Sequence, residues 1–291
     1  MRRHKPVMLQ ETIDWLPQQC TLVMDGTFGH GGHTAGMLAA RHDIRVVGVD
    51  RDEAMIAKAK QFLQEEHLLD RVDIVQTSYA DFETISKESG VKQFDALLID
   101  IGVNMDHFKE ADRGFSIKLD GALDMRYDRE VWEPASVVLE RISYDEFCEM
   151  LEQFTDFWQK YREQIAAWFI SVRKKQPFHT TQEIREWAKT LWINDKKLAV
   201  VFQAIRIKVN GELDELQKFL QSFPDFLISG GRCLVMTYHS WEDRMVKYAF
   251  KDLVDQWIWV LINKKVITPV RTEVKKNKAA RSAKLRIFEK I

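Results

Sequence analysis

The chain has 291 residues, 45% hydrophobic and 30% charged, and its net charge of −1 gives the whole molecule no attraction to nucleic acid. That length allows one or two domains with a buried core. No apolar run is long enough for a membrane helix, Met1–Pro6 lacks a signal-peptide core, and Cys20, Cys148 and Cys233 lie too far apart for a metal site, so the chain is expected to be cytoplasmic, with buried thiols, no metal and no membrane partner.

Thr21–Met24 reads as a short buried strand and Thr34–Ala40 as the start of a helix. Between them runs Asp25-Gly26-Thr27-Phe28-Gly29-His30-Gly31-Gly32-His33, a glycine-rich turn that lets backbone approach a ligand. Its spacing is not that of the dinucleotide fingerprint, which disfavours an oxidoreductase, and it lacks the Lys-Ser/Thr pair of a P-loop. The next strand, Ile44–Asp50, ends in a carboxylate suited to a ribose diol. Asp25 would be a poor neighbour for pyrophosphate and a good acceptor for a cationic amino-acid group. The two acids together suit S-adenosylmethionine.

Further strands are expected at Val72–Val75, Ala96–Ile99 and Cys233–Met236, with helices such as Asp52–Glu66 between the early ones. This alternation predicts an α/β fold, a mostly parallel sheet with helices on both faces. Asp100, at the carboxyl end of its strand, should share a crevice with Asp25 and Asp50. Between Asp128 and Val209 the strand pattern stops. Tyr144–Phe154, Gln159–Lys174 and Thr181–Trp192 have helical periodicity, and Thr180 with Glu183 has capping-box spacing. The expected organisation is residues 1–127 with 206–291 as one domain, and residues 128–205 as an inserted helical domain. Trp132, Trp158, Trp168, Trp187 and Trp192 fall in or beside the insert and are expected in its core. From Arg271 to Lys290 eight basic residues face only Glu273 and Glu289; the tail is either a phosphate-binding segment or a solvated end.

At this point the chain resembles the MraW/RsmH family, bacterial S-adenosylmethionine-dependent enzymes that methylate N4 of a cytidine in the decoding centre of 16S rRNA. The resemblance rests on His4-Lys5-Pro6-Val7-Met8-Leu9, the Asp25–His33 loop, Asp100-Ile101-Gly102-Val103, Arg113-Gly114-Phe115-Ser116 and Leu123-Asp124-Met125-Arg126. It continues in Phe202–Asn210, Tyr238-His239-Ser240-Trp241-Glu242-Asp243-Arg244 and Ala280–Arg286, covering nearly the whole chain in order. It implies a class I, Rossmann-like methyltransferase. The cofactor would be held by Asp25, Gly29, Gly31, Gly32, His33, Asp50, Tyr79, Asp100 and His107. Asp100, Asn104 and His239 are the candidates for catalysis. Arg113, Arg126, Arg244 and Arg281 are the candidates for RNA contact, and the helical insert would help recognise RNA. The implied partner is 16S rRNA in the small ribosomal subunit, with a homodimer left open. The chain departs from the family pattern at Val103-Asn104-Met105 and in a thinned set of arginines in the insert. Two other functions stay open: a methyltransferase with another substrate, and a nonenzymatic RNA-binding assembly factor on the same fold.

Overall fold

The apolar runs form strands and the periodic segments between them form helices, in a computed structural model that describes residues 6–255, 259–263 and 265–291. His4 and Lys5 of the opening motif lie outside the described residues. The chain divides into two compact units, Met1–Gly102 with Asp214–Ile291, and Val103–Leu213.

The first unit begins with α1 (Leu9–Asp14), β1 (Leu22–Asp25), α2 (Gly32–Ala40), β2 (Arg45–Asp50) and α3 (Glu53–Glu65). There follow β3 (Val72–Gln76), α4 (Phe82–Ser89) and β4 (Phe94–Asp100). The second unit carries α5 (Ala135–Arg141), α6 (Tyr144–Phe154), α7 (Gln159–Arg173), α8 (Thr181–Thr190) and α9 (Asp195–Asn210). The chain then runs through α10 (Glu212–Ser222), β5 (Leu227–Thr237), α11 (Ser240–Val254), β6 (Trp259–Leu261), α12 (Arg271–Lys276) and β7 (Lys284–Lys290).

The seven strands make one sheet in the order β3-β2-β1-β4-β5-β7-β6. β1 to β5 are parallel, and β7 runs antiparallel to both β5 and β6. Alternate residues of each strand feed opposite faces. Val23, Val46, Ala96, Leu98 and Leu234 pack on one side with Leu38, Ile56 and Leu63 from α2 and α3. Met24, Val47, Leu97, Ile99 and Val235 pack on the other with Phe82, Phe219 and Phe250 from α4, α10 and α11. Burial on both faces explains why the strands read as continuous apolar runs rather than alternating ones. β1 pairs with both β2 and β4, so the strand order reverses there, and the crevice outside their carboxyl ends is where such sheets receive ligands.

Two expectations are corrected, one in this unit and one in the second. The basic tail is neither purely solvated nor wholly free for phosphate: it supplies β7. Lys284 and Arg286 reach Asp243 at 3.0 and 2.8 Å, and Lys290 Nζ donates to the carbonyls of Pro224 and Leu227. Counting charge hid Leu285, Ile287 and Phe288, all buried, that stand among the cations. Cys20 and Cys233 are buried thiols, whereas Cys148 is only half-buried.

The second unit has its own core, including Phe147, Phe169, Phe178, Trp187, Leu198 and Phe202. Phe147 and Phe169 stack with centroids 4.3 Å apart. Capping boxes start α6 at Ser143 and Glu146 and α8 at Thr180 and Glu183. The tryptophan expectation holds for Trp187 alone, and Trp132 is half-buried. Trp158, Trp168 and Trp192 are 69%, 45% and 93% exposed. Trp168 lies off the α7 face that buries Ile165, Ala166 and Phe169; Trp158 precedes α7, and the helix expected over Thr181–Trp192 ends at Thr190, which leaves Trp192 beyond it.

Candidate functional site

The glycine loop is laced across the tops of three strands. Gly26 N donates to Leu98 O at 2.9 Å, Phe28 N to Val49 O at 3.0 Å and Gly29 N to Asp50 Oδ2 at 2.7 Å. Asp100 N donates to Thr27 Oγ1 at 2.7 Å. Gly29 and Gly31 take φ of 50° and 72°, a left-handed backbone that glycine enters without strain. Gly31 is the N-cap of α2 and has no side chain to cap the first-turn amides, the arrangement that receives an anionic ligand group. A Cβ on Gly26 would lie 2.4 Å from Ile99 Cδ1 and 3.0 Å from Tyr79 Cβ, so Tyr79 packs directly beside the loop.

Three carboxylates stand at the strand ends. Asp25 is 1% exposed. Its Oδ2 accepts from Thr34 Oγ1 at 2.7 Å, whereas its Oδ1 is buried without a hydrogen bond among the described residues. Burial pushes its pKa above the usual carboxylate range, against the opposing pull of His33 and the Thr34 hydroxyl. Asp50 accepts from the amides of Gly29 and Asp52, at 2.7 and 2.9 Å, which fixes its carboxylate at the end of β2. Asp100 is 22% exposed, and its Oδ1 accepts from Tyr238 Oη at 2.7 Å. Burial raises its pKa too; His33 and the Tyr238 hydroxyl lower it, and Asp25 and Glu242 add to the rise. Tyr238 is itself pushed well above the ordinary tyrosine value, first by burial and then by Asp100, so it stays a donor.

His33 links these groups. Its Nε2 lies 2.9 Å from Val7 O, and a carbonyl can only accept, so Nε2 carries the proton. Nδ1 is left facing Asp100 Oδ2 at 3.8 Å. Just past the carboxyl end of β5, His239 Nε2 lies 2.6 Å from Glu242 Oε1, and Glu242 Oε2 accepts from Tyr238 N at 2.8 Å. Arg244 is exposed, with its guanidinium 5.0 Å from the Trp241 ring centroid, and Arg281 is exposed. Arg51 pairs with Glu215 at 2.6 Å, and Ser78 Oγ donates to the same carboxylate.

The first unit therefore gathers Asp25, Gly29, Gly31, Gly32, His33, Asp50, Tyr79 and Asp100 around the switch point. Asn104, His107, Arg113 and Arg126 belong to the second unit. There Asn104 Oδ1 accepts from Asp106 N at 3.0 Å in a side-chain turn. His107 is buried, stacked on Phe115 at 4.9 Å. Arg113 is buried and donates to Arg126 O at 2.9 Å. Arg126 pairs with Asp124 at 2.6 Å and donates to the carbonyls of Arg129 and Trp132. Sequence reasoning gave no separate role to Tyr238, Thr27, Thr34 or Glu242. The rule that ligands bind at carboxyl ends would have found Tyr238, the residue after β5.

The donor set fits S-adenosylmethionine. The buried Asp25 Oδ1 lacks a donor, which an ammonium supplies; the uncapped start of α2 suits a carboxylate, and Asp50 suits a ribose diol. Comparison with known proteins agrees. The chain is similar to proteins called ribosomal RNA small subunit methyltransferase H. That of Kosmotoga olearia is 35% identical over 297 residues, covering 99% of this chain and 97% of its own. That of Solidesulfovibrio magneticus is 36% identical over 315 residues, covering 99% and 95%. That of Lawsonia intracellularis is 35% identical over 313 residues, covering 99% of both. The family model for the MraW methylase family matches residues 1–291, and the chain belongs to that family.

Proposed function

We propose that this protein transfers a methyl group from S-adenosylmethionine to N4 of a cytidine in 16S rRNA of the small ribosomal subunit, in the cytoplasm. The observation that carries the reading is the pair of acids at the switch point: Asp25, buried at the end of β1 with Thr34 on one oxygen, and Asp100 at the end of β4, held by Tyr238. The bound cofactor supplies an electrophilic methyl on sulfur. Asp25, the loop from Gly29 to His33, and Asp50 hold and orient it, with Tyr79 beside the loop.

Cytosine N4 is a weak nucleophile because its lone pair conjugates into the ring, so positioning supplies much of the rate. Asp100 would accept from the exocyclic amino group and hold the proton that N4 gives up on methylation. A raised pKa makes that carboxylate a stronger acceptor than an ordinary aspartate. The base must be unpaired or flipped out to reach it. Arg244 and Arg281, both exposed, are assigned to the RNA backbone. The helical unit, of which residues 128–205 are the main part, is assigned to RNA recognition.

The test is methyl transfer from labelled cofactor to unmethylated small subunits, naked 16S rRNA and a protein mixture, with nucleoside analysis. N4-methylcytidine in the RNA is the expected product. Label in protein alone, or cofactor binding without transfer, would replace this reading with another substrate or with the assembly-factor role.

A further inference from the structure

Two tryptophans of the second unit stand where backbone rules ask for other residues. Trp192 is 93% exposed. It follows α8 in a Schellman turn, in which Ile193 N donates to Ala188 O at 3.0 Å and Trp192 N to Lys189 O at 3.1 Å. Its φ is 58°, in the left-handed region where glycine is favoured. Trp158 is 69% exposed and is the N-cap of α7, where it makes no side-chain cap. Serine, threonine, aspartate or asparagine would cap there. Each indole weakens a helix end for little burial, and such local violations mark functional positions.

The residues around them indicate the ligand. The Tyr161 ring lies 5.7 Å from that of Trp158, and Lys197 Nζ sits 4.3 Å over Tyr161. Asn194 Oδ1 accepts from Lys197 N at 3.0 Å, which ties the turn after Trp192 to the start of α9. From residue 185 to 197 there are four cations, Arg185, Lys189, Lys196 and Lys197, against Glu186 and Asp195, in a chain of net charge −1. Asp195 faces Arg185 at 4.0 Å. Lys189 and Lys196 are exposed on either side of Trp192. Aromatic faces interleaved with lysines bind single-stranded nucleic acid, because every base has a face to stack and every phosphate a charge to meet. The exposed neighbours of Trp192 are Lys189, Thr190, Asn194, Asp195 and Lys196, not the apolar set that centres a protein interface.

We infer that Trp158 and Trp192 are stacking platforms for unpaired bases of the RNA substrate, with Lys189, Lys196 and Lys197 on its phosphates. This rests on the proposed RNA-methylating function.

The test uses the full-length protein and a fluorescein-labelled single-stranded RNA of mixed sequence, with Trp158→Ser, Trp192→Gly, the double variant and Trp192→Phe. Serine restores a cap and glycine relaxes the turn, so both single variants should unfold at higher temperature than wild type. Each should nevertheless bind the RNA about tenfold more weakly, the double variant weaker still, and Trp192→Phe close to wild type. S-adenosylmethionine binding should not change. Unchanged RNA affinity in the double variant, with wild-type binding intact, overturns the inference and assigns the indoles to a protein partner or a second copy. A wild-type chain that neither binds nor methylates RNA overturns the underlying function as well.

Discussion

Asp25 is a charge placed where charge is costly. Its folded pKa is raised, so the folded state holds a proton that the unfolded chain has released, and stability falls as pH rises from the ordinary carboxylate value through the raised one. Asp25→Asn should remove that loss. As pH rises above the ordinary carboxylate value, the urea midpoint of wild type should fall relative to the variant. The same variant should bind S-adenosylmethionine roughly tenfold or more weakly by calorimetry, because a charge-assisted bond is lost. Tyr238 acts on Asp100 in the opposite sense, since its hydroxyl lowers that pKa. Tyr238→Phe should move the acidic limb of the kcat–pH profile upward, because the hydrogen bond that favours the charged carboxylate is lost. An unmoved limb would show that Asp100 does not titrate in the reaction. Asp25, Asp50 and Asp100 were legible in the sequence because each ends an apolar run. The carboxyl-end rule points to Tyr238 as well, but its bond to Asp100 depends on β5 lying beside β4, and pairing between residues so distant in the chain has no local signal.

Helix boundaries were read well wherever the polar chemistry is local. The Thr180 and Glu183 box is formed, with Glu183 N donating to Thr180 Oγ1 at 3.3 Å and Glu183 Oε2 accepting from Thr180 N at 2.9 Å. Thr180→Ala should cost about 1 kcal/mol in chemical denaturation, reported by the neighbouring Trp187 fluorescence. At the other unit's key turn, Gly31→Ala should cost about 1–2 kcal/mol from its positive φ alone, since the added Cβ meets its neighbours at an ordinary 3.5 Å. The same substitution should weaken cofactor binding by displacing the start of α2. β6 and β7 were missed for different physical reasons. β6 is three residues long, and β7 mixes charged with apolar side chains, so its charge masked the apolar run.

In the first unit as a whole, the sheet is held shut at one side by ionic contacts as well as by apolar burial. Asp243 joins Lys284 and Arg286, and Arg286 is 8% exposed. Removing the acid strands a buried guanidinium, so Asp243→Asn should lower stability by about 3 kcal/mol. The two cations hold the pKa of Asp243 down against its burial. Its contribution is therefore present at neutral pH and lost below the ordinary carboxylate value, as pH falls through the depressed one. Wild type and variant should converge in acid melts. The parallel α/β architecture was legible from the alternation of apolar strands with amphipathic helices. The exposure of Trp158 and Trp192 was not, because periodicity marks which face is buried only within a helix and says nothing about residues beyond its ends.

β7 lies in the sheet between β5 and β6, yet follows both in the chain. During synthesis β5 therefore waits with an open edge until residues 284–290 leave the ribosome. The core of the second unit is complete in sequence long before that, within residues 103–213. Nascent chains stalled after β6 should protect the helical unit from protease while leaving the sheet sensitive, and should gain cofactor binding only once β7 has been released. A cell cutting translation short would thus accumulate chains with the helical unit intact and no methyl donor bound to them.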